Sequence, residues 1–146
     1  MNQPLILQFT VPGDDFTRAG EASGGVKKTL KQLGFPADVV RKVAIALYEG
    51  EINMVIHAGG GNITVEILPE KIDMQLTDQG PGIADIELAM RAGYSTAPDQ
   101  VRDLGFGAGM GLPNMKKYSD DFEIESTVGI GTKVHMQVYN AKKAVS

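Results

Sequence analysis

The sequence predicts a two-layer α+β sandwich, in which a mixed, mostly antiparallel sheet carries its helices on one face. Two observations carry this reading. Apolar residues alternate with polar ones at both ends and in the middle of the chain, and two segments of helical period separate the first such stretch from the next. The resulting order of strand, helix, helix, hairpin, short helix, loop, helix and hairpin supplies about five strands for one sheet. The chain has 146 residues, enough for one core, so residues 1–146 are expected to form a single domain without internal repeats or low-complexity segments.

Leu5, Leu7, Phe9 and Val11 alternate with Ile6, Gln8 and Thr10, the period of a strand with one buried face, and Pro12-Gly13 ends it. Asp14 or Asp15 can cap the next segment. There Phe16, Ala19, Ala22, Val26, Leu30 and Leu33 recur at helical steps, and Gly24 inside the stripe would allow a break. Lys27, Lys28 and Lys31 read as the solvated face of that helix.

After Gly34-Phe35-Pro36 a second helix is expected over Asp38 to Ala58, apolar around most of its circumference. Against that background Glu49, Asn53 and His57 stand four apart and share one face. They suit a satisfied polar seam, and for His57 a place packed on the core is the favoured reading. Glu49 and Asn53 also suit a site, because two oxygen ligands one turn apart can hold Mg²⁺ and activate a hydroxyl when a phosphate chain lies opposite. Gly50 between them is a poor helix residue and signals close approach of another segment.

Gly59-Gly60-Gly61 breaks the helix. Asn62 to Leu68 and Lys71 to Asp78 then read as a hairpin through Pro69-Glu70. The second strand ends in Asp78-Gln79-Gly80-Pro81-Gly82. An acid there can accept a hydrogen bond from an exocyclic amine beside a turn small enough for a flat ring, and the same residues also suit a plain turn. A short helix is expected over Asp85 to Ala92. The polar loop from Gly93 to Asp103 reads as a mobile cover, with Arg91 and Arg102 at its surface.

The loop leads into Gly105, Gly107, Gly109 and Gly111, which run directly into a helix carrying Leu112, Met115 and Tyr118 with Pro113 in its first turn. Backbone N–H groups in such a run can approach an anion with no Cβ in the way; a flexible linker would also be rich in glycine. Phe122, Ile124 and Ser126 alternate with Glu123 and Glu125, a turn follows at Val128 to Gly131, and Val134, Met136 and Val138 form the last strand.

Composition limits the partners. Lys and Arg total 14 against 18 for Asp and Glu, so no basic face is available for a phosphate backbone and no nucleic-acid partner is expected. There is no Cys, which excludes disulfides and thiolate metal sites. Met1-Asn2-Gln3-Pro4 lacks the basic flank and apolar core of a signal peptide, and no apolar run approaches the ~20 residues of a membrane span. The expected location is the cytoplasm, with no membrane contact.

The helix Glu49-x-x-x-Asn53, the turn Asp78-Gln79-Gly80-Pro81-Gly82, the glycine run Gly105 to Gly111 and the late Gly131-Thr132 together resemble the N box and glycine boxes of the GHKL, or Bergerat-fold, ATPases. Within that superfamily Asp78 to Met90, Gly93-Tyr94-Ser95-Thr96, Gly109 to Lys117 and Asp121 to Ser126 are most similar to bacterial partner-switching serine/threonine kinases of the anti-sigma factor type, above all the RsbT type. The resemblance implies ATP and Mg²⁺ as cofactors, Glu49 as general base and Asn53 as Mg²⁺ ligand. It implies Asp78 on the adenine amine, Gly80 and Gly82 around the adenine, Gly105, Gly107, Gly109, Gly111 and Leu112 at the phosphates, and Thr132 assisting the base. The ATP lid would span about 83–110. Gly50 departs from the family, in which a small helix former such as Ala is expected.

Two functions follow. The first is ATP-dependent phosphorylation of Ser or Thr on a STAS-domain antagonist or stressosome-type protein, regulating a sigma factor or stress signalling. The alternative is an ATP-gated binding module that sequesters a sigma factor or another regulator with little kinase activity. A phosphatase regulator and a second copy of the chain complete the expected partners.

Overall fold

The computed structural model describes residues 4–13, 18–83, 85, 86, 90 and 111–140. Five strands form one sheet: β1 (Leu5–Pro12), β2 (Gly60–Ile67), β3 (Lys71–Asp78), β4 (Asp121–Thr127) and β5 (Gly131–Tyr139), in the order β1-β2-β3-β5-β4. Every described pairing is antiparallel, with Leu5 opposite Ile67, Ile63 opposite Leu76, Asp78 opposite Thr132 and Ser126 opposite Thr132 on its other side. The sheet therefore lies at the antiparallel end of the expected arrangement. Asp78 and Thr132 meet at the end of the two inner strands.

The alternation read from the sequence selects the covered face. Ile63, Val65 and Ile67, then Ile72, Met74 and Leu76, then Val134, Met136 and Val138 are all buried, while their neighbours point to the open side. On β1 the pattern fades towards the chain start: Val11 is buried, Leu7 and Phe9 are half-buried, and Leu5 is exposed. The open face is polar. Near its middle Asp73 accepts hydrogen bonds from Gln137 Nε2 at 2.7 Å and from His135 Nε2 at 2.8 Å.

Among the described residues three helices cover the other face: α1 (Glu21–Gln32), α2 (Ala37–Asn53) and α3 (Gly111–Lys117). Helix α2 is central, because Val40, Val43, Ala46 and Leu47 belong to the same buried cluster as the sheet's apolar face, α1's Ala22, Val26 and Leu30, and α3's Leu112 and Met115. Helix α1 runs through Gly24 and Gly25 unbroken, so the break that Gly24 would allow does not form, and Leu33, the residue that caps its C-terminal end, is exposed. Its start also differs from expectation. The Asp14 and Asp15 caps lie outside the described residues, and the N-cap is Gly20 with no side-chain cap.

The α-helix expected up to Ala58 changes pitch. Met54–Ala58 forms a π-helical turn, closed by the Gly59 N–H donating to the Met54 carbonyl, and Gly60 and Gly61 already belong to β2. Such a turn inserts extra backbone and displaces side chains from the α-helical register. Here it swings His57 and Ala58 towards the end of β3. Of the short helix expected over Asp85 to Ala92, only Asp85, Ile86 and Met90 are described, and the Met90 N–H donates to the Ile86 carbonyl at 2.9 Å. Among the described residues no helix is long and apolar enough to cross a membrane.

Candidate functional site

A cleft open to solvent lies between α2 with its π-helical turn and the ends of β3 and β5. Its walls are apolar: Met54, Leu76, Met115 and Val134 back it, and Ile83 closes one side. Asn53, His57, Asp78 and Thr132 place polar atoms around these walls. A mostly apolar cleft with a few convergent polar groups suits a flat heterocycle.

Asp78 is the most constrained of these groups. Its Oδ1 accepts the Gly80 N–H at 2.9 Å and the Thr132 N–H at 3.2 Å, so the turn after β3 and the start of β5 hold the carboxylate from two sides. Among the described residues nothing bonds Oδ2. A fixed carboxylate with one open oxygen can accept an N–H from a ligand without first reorganising.

The turn depends on its glycines for two different reasons. At Gly80 a Cβ would stand 2.7 Å from Ala58 Cα, so the absent side chain lets the β3 turn lie against the π-helical turn. Gly82 has φ +79°, a left-handed conformation that residues with a Cβ rarely adopt. The turn is anchored to the β4–β5 hairpin by the Gly129 N–H donating to the Pro81 carbonyl at 2.8 Å and the Ile83 N–H donating to Ser126 Oγ at 2.7 Å. Ser126 Oγ also lies 2.8 Å from Thr132 Oγ1 and donates to the Gly131 carbonyl at 3.2 Å.

Glu49 and Asn53 project from consecutive turns of α2. Asn53 lines the cleft, while Glu49 is half-buried and its Oε2 accepts the Asn114 Nδ2–H at 2.7 Å, across to α3. Gly50 explains how helix and sheet come so close. A Cβ there would overlap Leu76 Cδ2 and sit 3.4 Å from Met115 Sδ, which is the close approach expected from the sequence and the reason Gly stands at this position. His57 lines the cleft instead of packing in the core, and burial pushes its pKa below the ordinary 6.5.

The glycine run is described only at its end. Gly111 opens α3 and Leu112 is buried against the core, while Gly105, Gly107, Gly109, Arg91 and Arg102 lie outside the described residues, as does most of the 83–110 stretch. The described residues contain no group of three or more His, Cys, Asp or Glu side chains that could hold a metal. A cation at Asn53 would therefore draw most of its ligands from phosphates and water.

Three residues that sequence reasoning passed over matter here. Ser126 has a local signal, a small polar residue at an inward strand position. Asn114 has none, because its partner lies 65 residues away. Glu51 could have been noticed as a charge on an otherwise apolar helix. It is 2% exposed, and its carboxylate accepts the N–H groups of Gly20, Ala22 and Ser23 at 3.0–3.1 Å.

The chain is similar to known proteins over most of its length. The chain is 32% identical over 112 residues to the serine/threonine-protein kinase RsbT of Bacillus subtilis, covering 74% of this chain and 78% of that protein. It is 36% identical over 113 residues to the anti-sigma F factor of Caldanaerobacter subterraneus, covering 74% and 76%. The anti-sigma F factor of Bacillus licheniformis is 28% identical over 97% of this chain and 96% of its own length. Residues 14–138 match the histidine kinase-like ATPase domain, and the chain belongs to that family.

Proposed function

We propose that the chain is an ATP-dependent protein serine/threonine kinase of a bacterial partner-switching module, acting in the cytoplasm on a Ser or Thr of a STAS-domain antagonist. The observation that carries this reading is the carboxylate of Asp78, locked by the Gly80 and Thr132 amides at an apolar cleft, with Asn53 and Glu49 rising from the adjoining helix. In this reading Asp78 Oδ2 accepts the adenine amine, Gly80 and Gly82 leave room for the ring, and Leu76, Met115 and Val134 exclude water from its faces. The apolar lining, the turn that a Cβ would fill and the oxygen donor at Asn53 fit adenine and a hard cation.

Asn53 would hold Mg²⁺, which when bound would supply charge neutralisation and alignment. Glu49 takes the proton from the acceptor hydroxyl as that oxygen bonds to the transferred phosphorus and the bond to the departing ADP oxygen breaks. Thr132, tied to Ser126 and donating its N–H to Asp78, stands at the adenine end of the site and not beside Glu49, so its part is to hold Asp78 and not to assist the base. Gly105, Gly107, Gly109, Gly111 and Leu112 form the phosphate end, residues 83–110 the lid, and 1–146 one kinase domain. The sigma factor or phosphatase regulator that alternates with the antagonist, and a second copy of the chain, complete the assembly.

The test is incubation of the protein with Mg·ATP and STAS-domain proteins encoded near it, followed by detection of phosphate on Ser or Thr. Transfer is expected, Glu49→Ala should abolish it while nucleotide still binds, and Asp78→Asn should weaken nucleotide binding by calorimetry. Labelling that survives Glu49→Ala at the wild-type rate would remove the base assignment. A complex that forms only with ATP and never becomes labelled would establish the ATP-gated binding module instead.

A further inference from the structure

The hydrogen bond from Asn114 to Glu49 joins the two helices that meet at the site. Asn114 sits in α3, three residues after Gly111, and its neighbours Leu112 and Met115 are buried in the core, Met115 completely. Met115 packs over Gly50, beside Glu49, so α3 is docked on the same turn of α2 that carries the acid. From this fixed platform the carboxamide donates to Oε2 at 2.7 Å, and among the described residues nothing else bonds the carboxylate.

We propose that Asn114 is a positioning residue for Glu49. The inference rests on the reading of Glu49 as general base. A glutamate has three rotatable side-chain bonds, and an unrestrained one spends most of its time away from the geometry needed for proton transfer. A carboxamide N–H suits the task because it donates one directional bond, carries no charge and cannot take the proton itself. With Oε2 held, Oε1 is left to accept the hydroxyl proton. Because α3 begins at Gly111, any displacement of that helix start reaches the base through one side chain.

The experiment measures phosphate release from Mg·ATP by the full chain, with water as acceptor, in the wild type, Asn114→Leu, Glu49→Ala and the double variant. Leu keeps the shape of Asn and removes the donor. Asn114→Leu is expected to lower kcat on the order of tenfold, with KM for ATP within about twofold and the thermal midpoint little changed. In the Glu49→Ala background the same substitution should have no further effect. Should Asn114→Leu unfold the chain, Asn114→Ala provides the same comparison.

Wild-type kcat in Asn114→Leu, alongside a dead Glu49→Ala, would overturn the positioning role and leave the base assignment intact. An equal loss in both backgrounds would also overturn it, since Asn114 would then act independently of Glu49. If Glu49→Ala releases phosphate at the wild-type rate, the base reading fails and this inference falls with it.

Discussion

The carboxylate of Glu51 accepts the backbone N–H of Ser23 at 3.1 Å, so a buried acid in the last turn of α2 caps the start of α1. The N–H groups of Gly20 and Ala22 share the same carboxylate. These are among the unpaired donors that every helix start exposes, and negative charge there also opposes the helix dipole favourably. Glu51→Ala should destabilise the protein by about 3 kcal/mol, because it strands several buried donors at once. Urea denaturation checks this; a loss under about 1 kcal/mol would mean that water replaces the carboxylate.

Two glycines should respond to alanine in opposite directions. Gly24 lies inside α1, is exposed, and a Cβ there would meet nothing within 4 Å. Gly24→Ala should therefore stabilise by about 0.5–1 kcal/mol through helix propensity and a less disordered unfolded chain. Gly82→Ala faces a left-handed backbone and a Cβ that would stand 2.9 Å from Val128 Cα. It should cost roughly 2 kcal/mol or more, with loss of nucleotide affinity, and parallel thermal melts of the two variants make the comparison.

Acid should weaken the fold through His57. Burial depresses its pKa, so the unfolded chain takes up a proton near 6.5 while the folded chain does so only at lower pH. The stability tied to the neutral ring is complete above 6.5 and declines as pH falls through that value towards the depressed one. His57→Gln should flatten the pH dependence of the unfolding free energy between pH 7 and 5. Asp73 works in a different window: burial would raise its pKa, but the hydrogen bonds from Gln137, His135 and Gln75 and the His135 charge hold it below 3.8. Its contribution is present above 3.8 and is lost as pH falls through the lowered value. Retention of the full slope in His57→Gln would assign the effect to other groups.

Gly50→Ala tests how helix α2 and the sheet share space. The new methyl group must displace Leu76, whose side chain lines the cleft. A cost of about 1–3 kcal/mol is expected from overpacking, together with weaker nucleotide binding as Leu76 moves into the ring's space. Unchanged affinity by calorimetry would show that Leu76 finds another rotamer outside the cleft.

Much of this architecture was legible because it depends on local period. The runs through β2, β3 and β5 alternate strictly, and the buried residues are those the alternation names. Asp78 and its glycine turn were legible for the same reason, since acid and turn are neighbours in the chain. What escaped was non-local. Glu51 stands two residues from both Glu49 and Asn53, which turns it to the opposite side of α2, towards donors 28–31 residues earlier. The π-helical turn left no trace, because a helix apolar around its circumference reads the same at either pitch. With α2 displaced there, the favoured place for His57 in the core gave way to one at the cleft.

The partners of Asp78 and Ile83 lie on the final hairpin, Ser126 and Thr132 among them. On a ribosome, α1, α2, β1, β2 and β3 emerge with Asn53 and Asp78 already made, but the inner edge of β3 stays unpaired until β5 is synthesised. Competence to hold a nucleotide thus waits for the synthesis of β5. A nascent chain stalled before Thr132 would display half of the cleft and an open strand edge to the cell, a state for chaperones to shield.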